Sequence, residues 1–279
     1  MGKFSGCVLA CDIDGTLVSN GILPERNVEK IKDFVAEGGT FALATGRGRA
    51  AVGMVTDTLK EYIGASVVAN GCEIYDFSKD KEIYGVYHSE KLKKAICEVS
   101  EKFKNAGMEI HLGRDVYCVN QNSETDVHQE YEGFAGIDCR VQDMLDVNWN
   151  KLLFAAEEFR WCEQVLEFLE TQTDDFYAVR TNAVIYGKER NYLEILPKGA
   201  NKASALLKLC EILNIKKGGY FAIGDFYNDL QMLKAADISA CPHDSPEEVM
   251  RETDYKTCKV LDGAVADFIE YLEKNYKGE

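Results

Sequence analysis

The sequence predicts an α/β fold: a three-layer parallel-sheet core interrupted by an inserted α+β segment. Three observations predict it. Short apolar runs alternate with amphipathic helical stretches at both ends of the chain, this rhythm breaks in the middle, and polar clusters recur just after the apolar runs. A length of 279 residues corresponds to roughly two domains.

Residues 7–13 form an apolar stretch suited to a buried strand, followed by a loop with Gly15, Gly21 and Pro24. Val28, Ile31, Phe34 and Val35 then recur at helical spacing until Gly38 and Gly39 end the segment. Residues 40–44 read as a second buried strand. Residues 49–63 read as a helix with Val52, Val55, Leu59 and Tyr62 on one face, and 66–69 as a third strand. The order β-α-β-α-β implies right-handed crossovers and a parallel sheet. The alternation returns late: a helix lined by Ala203, Leu206, Leu207, Cys210 and Leu213, a strand at 220–223, a helix at 230–236 and a short strand at 237–240. Ser245-Pro246-Glu247-Glu248 reads as a helix start with a capping Ser, and residues 263–276 as a closing helix. Between these halves stand a long helix at 89–105 and short strand runs at 108–112, 116–120, 176–181 and 183–186. Residues 85–187 are therefore expected to be an inserted cap, with 1–84 and 188–279 forming the core.

Composition narrows the partners. The net charge of −15 repels a nucleic-acid backbone, and no basic patch concentrates the positive charges. The longest strictly apolar runs, 7–11 and 152–156, fall far short of the ~20 residues that span a bilayer, so no membrane association is expected. Asp12 stands too early for a secretory signal, and the ten cysteines form no C-x-x-C pair. Buried thiols in a reducing cytoplasm fit that scatter better than zinc or disulfides.

Four motifs sit after strand runs or at a helix start. Asp12-Ile13-Asp14-Gly15-Thr16 places two carboxylates two residues apart, on one side of extended chain, where one can attack while the other handles protons. An ordinary Asp-Gly turn is the alternative. Ala44-Thr45-Gly46-Arg47 offers a hydroxyl, a relaxed backbone and a guanidinium, all groups that bind phosphate. Gly46, Gly48 and Ala51 also mimic a dinucleotide fingerprint, but after the second strand and with no acidic residue ending the next one. Lys202 lies in the first turn of an amphipathic helix, where a solvated surface Lys is the plainer reading. Gly224-Asp225-Phe226-Tyr227-Asn228-Asp229 supplies carboxylates that suit a magnesium site or serve as helix caps.

In order and spacing these motifs resemble the haloacid dehalogenase superfamily of phosphohydrolases, in particular its Cof-type members with a type IIB cap and a Rossmann-like core. The resemblance covers essentially the whole chain. It implies that Asp12 is the nucleophile, forming an aspartyl-phosphate, and that Asp14 exchanges protons with the leaving group and water. It also implies Mg²⁺ held by Asp12, Asp14 through its carbonyl, Asp225 and Asp229. Thr45, Gly46, Arg47, Lys202 and Asn228 would bind substrate, with Thr45 and Lys202 also serving catalysis. The expected activity is hydrolysis of small phosphorylated metabolites, sugar phosphates or phosphorylated cofactors, by a cytoplasmic monomer or homodimer. A sugar phosphomutase and a non-catalytic phosphometabolite sensor are the alternatives. Ala203 and the segment Cys241 to Ser245 depart from the family pattern, leaving His243 as a loop residue with a possible phosphate role. Arg114, Arg180 and Tyr186 are chemically suited to specificity, whereas Tyr117, Trp149, Phe176 and Tyr177 suit packing.

Overall fold

The computed structural model describes residues 2–277. In chain order, a first stretch contains β1 (Val8–Cys11), α1 (Glu25–Ala36), β2 (Thr40–Leu43), α2 (Gly53–Leu59), β3 (Ala65–Val68), β4 (Glu73–Asp76) and β5 (Lys81–Gly85). A middle stretch follows with α3 (Glu90–Lys102), β6 (Gly107–Leu112), β7 (Asp115–Val119), α4 (Ser123–Glu132) and β8 (Ile137–Asp138). It continues through β9 (Lys151–Ala155), α5 (Arg160–Gln172), β10 (Phe176–Ile185) and β11 (Lys188–Pro197). The last stretch holds α6 (Lys202–Leu213), β12 (Tyr220–Ile223), α7 (Leu230–Ala235), β13 (Ile238–Cys241), α8 (Glu247–Arg251), β14 (Tyr255–Lys256) and α9 (Ala264–Asn275).

These elements form two compact units. The first takes the chain up to Gly46, Met54–Tyr84 and everything described from Asn201 onward; the second takes Arg47–Gly53 and Gly85–Ala200. In the first unit a five-stranded sheet runs β14-β13-β12-β1-β2, with parallel pairing throughout. β1 is apolar along its whole length and fully buried, as a strand covered on both faces must be. Val8, Ala10, Ala42 and Ala222 pack toward Leu206 and Leu209 of α6 and Met232 and Leu233 of α7. On the opposite face Phe221, in register with Leu9, meets Tyr276 edge-on at 5.0 Å between ring centroids. The side chain of Asn27 in α1 accepts the Ala266 amide of α9 at 2.9 Å, tying the two helices together. A three-stranded sheet β3-β4-β5 abuts β2 through the parallel bridges Phe41–Ile63 and Ala44–Val67.

The second unit is built on a six-stranded sheet, order β10-β11-β9-β6-β7-β8. Met108, Ile110, Leu152, Phe154, Leu193 and Ile195 point to one face, where α3, α5 and the fully buried Trp149 complete an apolar core. The intervening residues put Glu109, His111, Lys151 and Glu194 on the other face. These buried groups lie against one another and against α4. His128 meets Glu109 at 2.9 Å, and Lys151 meets Glu194 at 2.7 Å.

Several sequence expectations change here. Residues 49–63 do not form one helix: a 3-10 turn at Arg49–Ala51 gives way to the seven-residue α2 at Gly53. The runs 176–181 and 183–186 are a single strand, β10, whose hairpin partner is β11. Tyr186 (φ 53°) and Gly187 (φ 74°) supply the left-handed turn between them. Because β11 also pairs with β9, residues 188–197 belong to the second unit, beyond the boundary expected at 187. No side chain caps α8, since Pro246 rather than Ser245 precedes it. Strands β4, β5, β8, β9, β11 and β14 and helices α4 and α5 are elements that the sequence reading does not assign. For α4 the signal was Asn122 and Thr125, which form a reciprocal capping box. None of the ten cysteines is in a disulfide.

His88 of the second unit is buried, and burial, aided by Lys93, lowers its imidazole to about 3 against a backbone contact with Ile195 that raises it. The unfolded chain therefore binds the His88 proton more readily than the folded one below the ordinary histidine range. Its contribution is present above about pH 6.5 and is lost as pH falls toward 3. At about pH 4.5 this loss amounts to roughly 3 kcal/mol. Thermal melts are expected to show a smaller acid-induced drop in Tm, by several degrees, in His88→Leu than in the unaltered protein.

Candidate active site

The site grows out of strand register. Cys11 of β1 stands opposite Leu43 of β2 and Ile223 of β12, so Asp12, Ala44-Thr45 and Gly224-Asp225 leave the sheet at one carboxyl edge. Open α/β sheets bind ligands at this edge. The Asp12 amide still donates to the Ile223 carbonyl at 3.0 Å, and the Thr45 amide to Val67 at 3.0 Å, so both residues sit on the last rungs of the ladder.

Lys202 enters from the start of α6. Asn201 caps that helix by accepting the Ser204 amide, and Lys202 turns inward until its side chain is only 2% exposed. Its ammonium donates to Asp12 Oδ1 at 2.6 Å and to Asp229 Oδ1 at 2.7 Å. Burial opposes the lysine charge, but the two carboxylates outweigh it and hold the pKa above the usual lysine range. The surface reading of Lys202 is thereby excluded.

Asp229 uses its other oxygen to accept the amides of Asp225 at 3.1 Å and Phe226 at 3.2 Å. Both its oxygens are thus spent on shaping the loop and aiming the lysine. Asp225 accepts the Thr16 hydroxyl at 3.0 Å and lies against Gly15. A Cβ at Gly15 would come within 2.3 Å of Asp225 Oδ2, and Gly15 has φ +80°, so no other residue type suits the position.

Asp12, Asp225 and Asp229 each offer a carboxylate oxygen within 4.8 Å of the others. Three carboxylates against one lysine leave a formal excess of −2 (−3 + 1) in a poorly hydrated place. Burial, with Asp229 alongside, pushes Asp225 up to about 7; burial also raises Asp12 against the opposing pull of Lys202, with Asp229 and Asp225 adding to the rise. An all-oxygen donor set with that surplus suits a hard divalent cation.

The structure gathers Asp12, Asp225, Asp229 and Lys202, with Thr45 and Gly46 on the neighbouring strand end. Asp14 is exposed beside them. Two further expected substrate groups are Asn228 and Arg47. Asn228 is exposed on the turn that directs Asp229 inward, and no hydrogen bond joins it to Lys202. Arg47 clusters with the second unit, where its guanidinium donates to Glu132 at 2.7 Å and to the Ala51 carbonyl at 3.0 Å. Nor does the dinucleotide reading hold: Gly48 packs against His111. His243 is exposed. Arg114 and Tyr186 are exposed, and Arg180 pairs with Glu163 over the Phe159 ring.

Comparison with known proteins agrees with this geometry. The family model for haloacid dehalogenase-like hydrolases matches residues 9–269, and the chain belongs to that family. Among its relatives is the 5-amino-6-(5-phospho-D-ribitylamino)uracil phosphatase YcsE of Bacillus subtilis, 24% identical over 95% of this chain and 94% of its own. A second B. subtilis enzyme of the same name, YwtE, is 27% identical over 95% of this chain and 97% of its own. A haloacid dehalogenase-like hydrolase from Bacteroides thetaiotaomicron shares the fold with a TM-score of 0.84 at 22% identity, covering 95% of this chain and 99% of that one. The subclass IIB sugar phosphatase BT4131 also shares it, with a TM-score of 0.76 at 18% identity over 96% and 99% of the two chains. No helix among the described residues is long and apolar enough to cross a membrane.

Asp229→Ala is expected to destabilise the protein by about 3 kcal/mol in chemical denaturation, because it strips one counter-charge from a buried ammonium and two acceptor contacts from the loop. Asp229→Asn, which keeps the shape, is expected to recover part of that loss.

Proposed function

We propose that this phosphatase of the haloacid dehalogenase-like family hydrolyses small phosphorylated metabolites through an aspartyl-phosphate on Asp12, with Mg²⁺ as its metal. The observation that carries the reading is Asp12 itself: a buried carboxylate at a strand end, held by a buried lysine, with two further carboxylates beside it. That surrounding fits a nucleophile better than a structural acid, because nothing in an ordinary Asp-Gly turn requires a lysine buried under it. The names of the relatives, a ribitylaminouracil phosphatase and a sugar phosphatase, support small phosphate monoesters as the substrate class.

In this reading an Asp12 oxygen attacks phosphorus in line and the ester oxygen leaves with a proton from Asp14, whose exposure suits exchange with solvent. Water activated by the same Asp14 then attacks the acyl phosphate, freeing phosphate and restoring Asp12. The Lys202 ammonium fixes the Asp12 rotamer and offsets negative charge as the phosphoryl group arrives. Thr45 and the Gly46 amide are assigned to the phosphoryl oxygens. Asp12, Asp225 and the Asp14 carbonyl would hold the Mg²⁺, with Asp229 positioning rather than ligating. When bound, the metal supplies the positive charge that lets a carboxylate approach an anionic phosphoryl group. The second unit is assigned to leaving-group choice, and ten cysteines outside any disulfide suit a reducing cytoplasm.

The test is phosphate release from a generic aryl phosphate and a panel of sugar phosphates, with magnesium and with chelator. Release is expected only with magnesium. Asp12→Asn, isosteric and folded, is expected to lower kcat by roughly a thousandfold or more. An Asp12→Asn enzyme that keeps most of its activity would sink the mechanism, and transfer without net release would point to a phosphomutase.

A further inference from the structure

Asn70 takes part in no expectation drawn from the sequence, yet it occupies an unusual place. Ala69, Asn70 and Gly71 follow β3 with three consecutive positive φ values, 50°, 56° and 93°. Only glycine adopts this region easily; asparagine tolerates it and alanine is strained in it. Such a run persists where its surroundings fix it, and here they do on both sides.

On one side lies the Thr45-Gly46 turn. The Thr45 amide donates to Val67 and the Asn70 amide donates to the Thr45 carbonyl, each at 3.0 Å, so the two segments clasp each other. The Asn70 carboxamide rests directly on Gly46: a Cβ there would meet Oδ1 at 3.0 Å and Nδ2 at 3.2 Å. On the other side lies the start of α6. A Cβ at Gly71 would come within 2.2 Å of the Asn201 carbonyl oxygen, so the run passes tight against the residue before Lys202. One left-handed segment therefore touches both the turn assigned to the phosphoryl oxygens and the helix start that delivers Lys202.

We infer that Asn70 is a positioning residue for phosphoryl transfer: its carboxamide braces Gly46 so that the Thr45 hydroxyl and the Gly46 amide are held for the phosphoryl oxygens. This rests on the phosphatase reading above. The alternative is that asparagine stands there only because it accepts a left-handed backbone.

Asn70→Gly separates the two, since glycine keeps the backbone and deletes the brace. It is expected to lower kcat about tenfold with KM and Tm little changed, and to weaken orthovanadate, a mimic of the five-coordinate phosphorus, by a similar factor. Gly46→Ala loads the same contact from the other side, and its backbone is not in the left-handed region. It is expected to cost about tenfold in the unaltered protein and little more in the Asn70→Gly background, because both act through one contact. Wild-type kcat in Asn70→Gly, or losses that multiply in the double variant, would overturn the inference. Should Asn70→Gly prove unstable, Gly46→Ala alone decides: a tenfold loss supports the brace and an unchanged kcat removes it. Calorimetric binding of orthovanadate with magnesium repeats the cycle without turnover. An unaltered protein that binds vanadate but releases no phosphate would thus count against the proposed function and leave the coupling measurable.

Discussion

Everything at the sheet edge is arranged around one buried ammonium. Lys202 sits between Asp12 and Asp229 at hydrogen-bond distance from both, in a place where an isolated charge would be costly. Such an ion pair is weak evidence for stability, because desolvation consumes most of the Coulombic gain. What it secures is geometry: the lysine fixes Asp12 in one rotamer, and Asp229 fixes the lysine while holding the 225–226 amides. One salt link thereby joins three chain segments that are nearly 220 residues apart at the extremes.

Placing these segments together requires the parallel sheet. β1, β2 and β12 are short, apolar and buried, so their register is set by packing on both faces. The polar residues that follow must then emerge at one edge. Local backbone chemistry finishes the arrangement: Gly15 gives Asp225 room to approach, and Asn201 caps α6 so that Lys202 begins it pointing inward. The residual negative charge of this cluster is the physical reason for a divalent cation, and it arises from charges that no single motif contains.

The second unit solves a different problem. Its sheet has a largely apolar face packed by α3 and α5, which makes a core of its own, and a face carrying Glu109, His111, Lys151 and Glu194. Those groups are buried, whereas Arg114, Arg180 and Tyr186, which chemistry alone singles out, are exposed. A charged residue in a strand reads as solvent-facing when only alternation is available, and the partners that make its burial tolerable come from other strands and from α4.

The sequence by itself determined the α/β class and most of the core elements, and it singled out the acidic and basic residues that the structure gathers at the sheet edge, because hydrophobic period and strand-end polar clusters are local properties of the chain. It does not mark where the 49–63 segment breaks or where the insertion ends, since β11 opens on Lys188-Glu189-Arg190-Asn191 and only its pairing with β9 and β10 assigns it. Tertiary structure alone decided that Lys202 is buried and not solvated, that Asp229 spends both oxygens on positioning, that Arg47 pairs with Glu132, and that Asn70 rests on Gly46. Apart from the local contacts of Asp229 with the 225 and 226 amides, these join residues far apart in sequence, and their energy depends on burial and distance, neither of which is written in the order of amino acids around them.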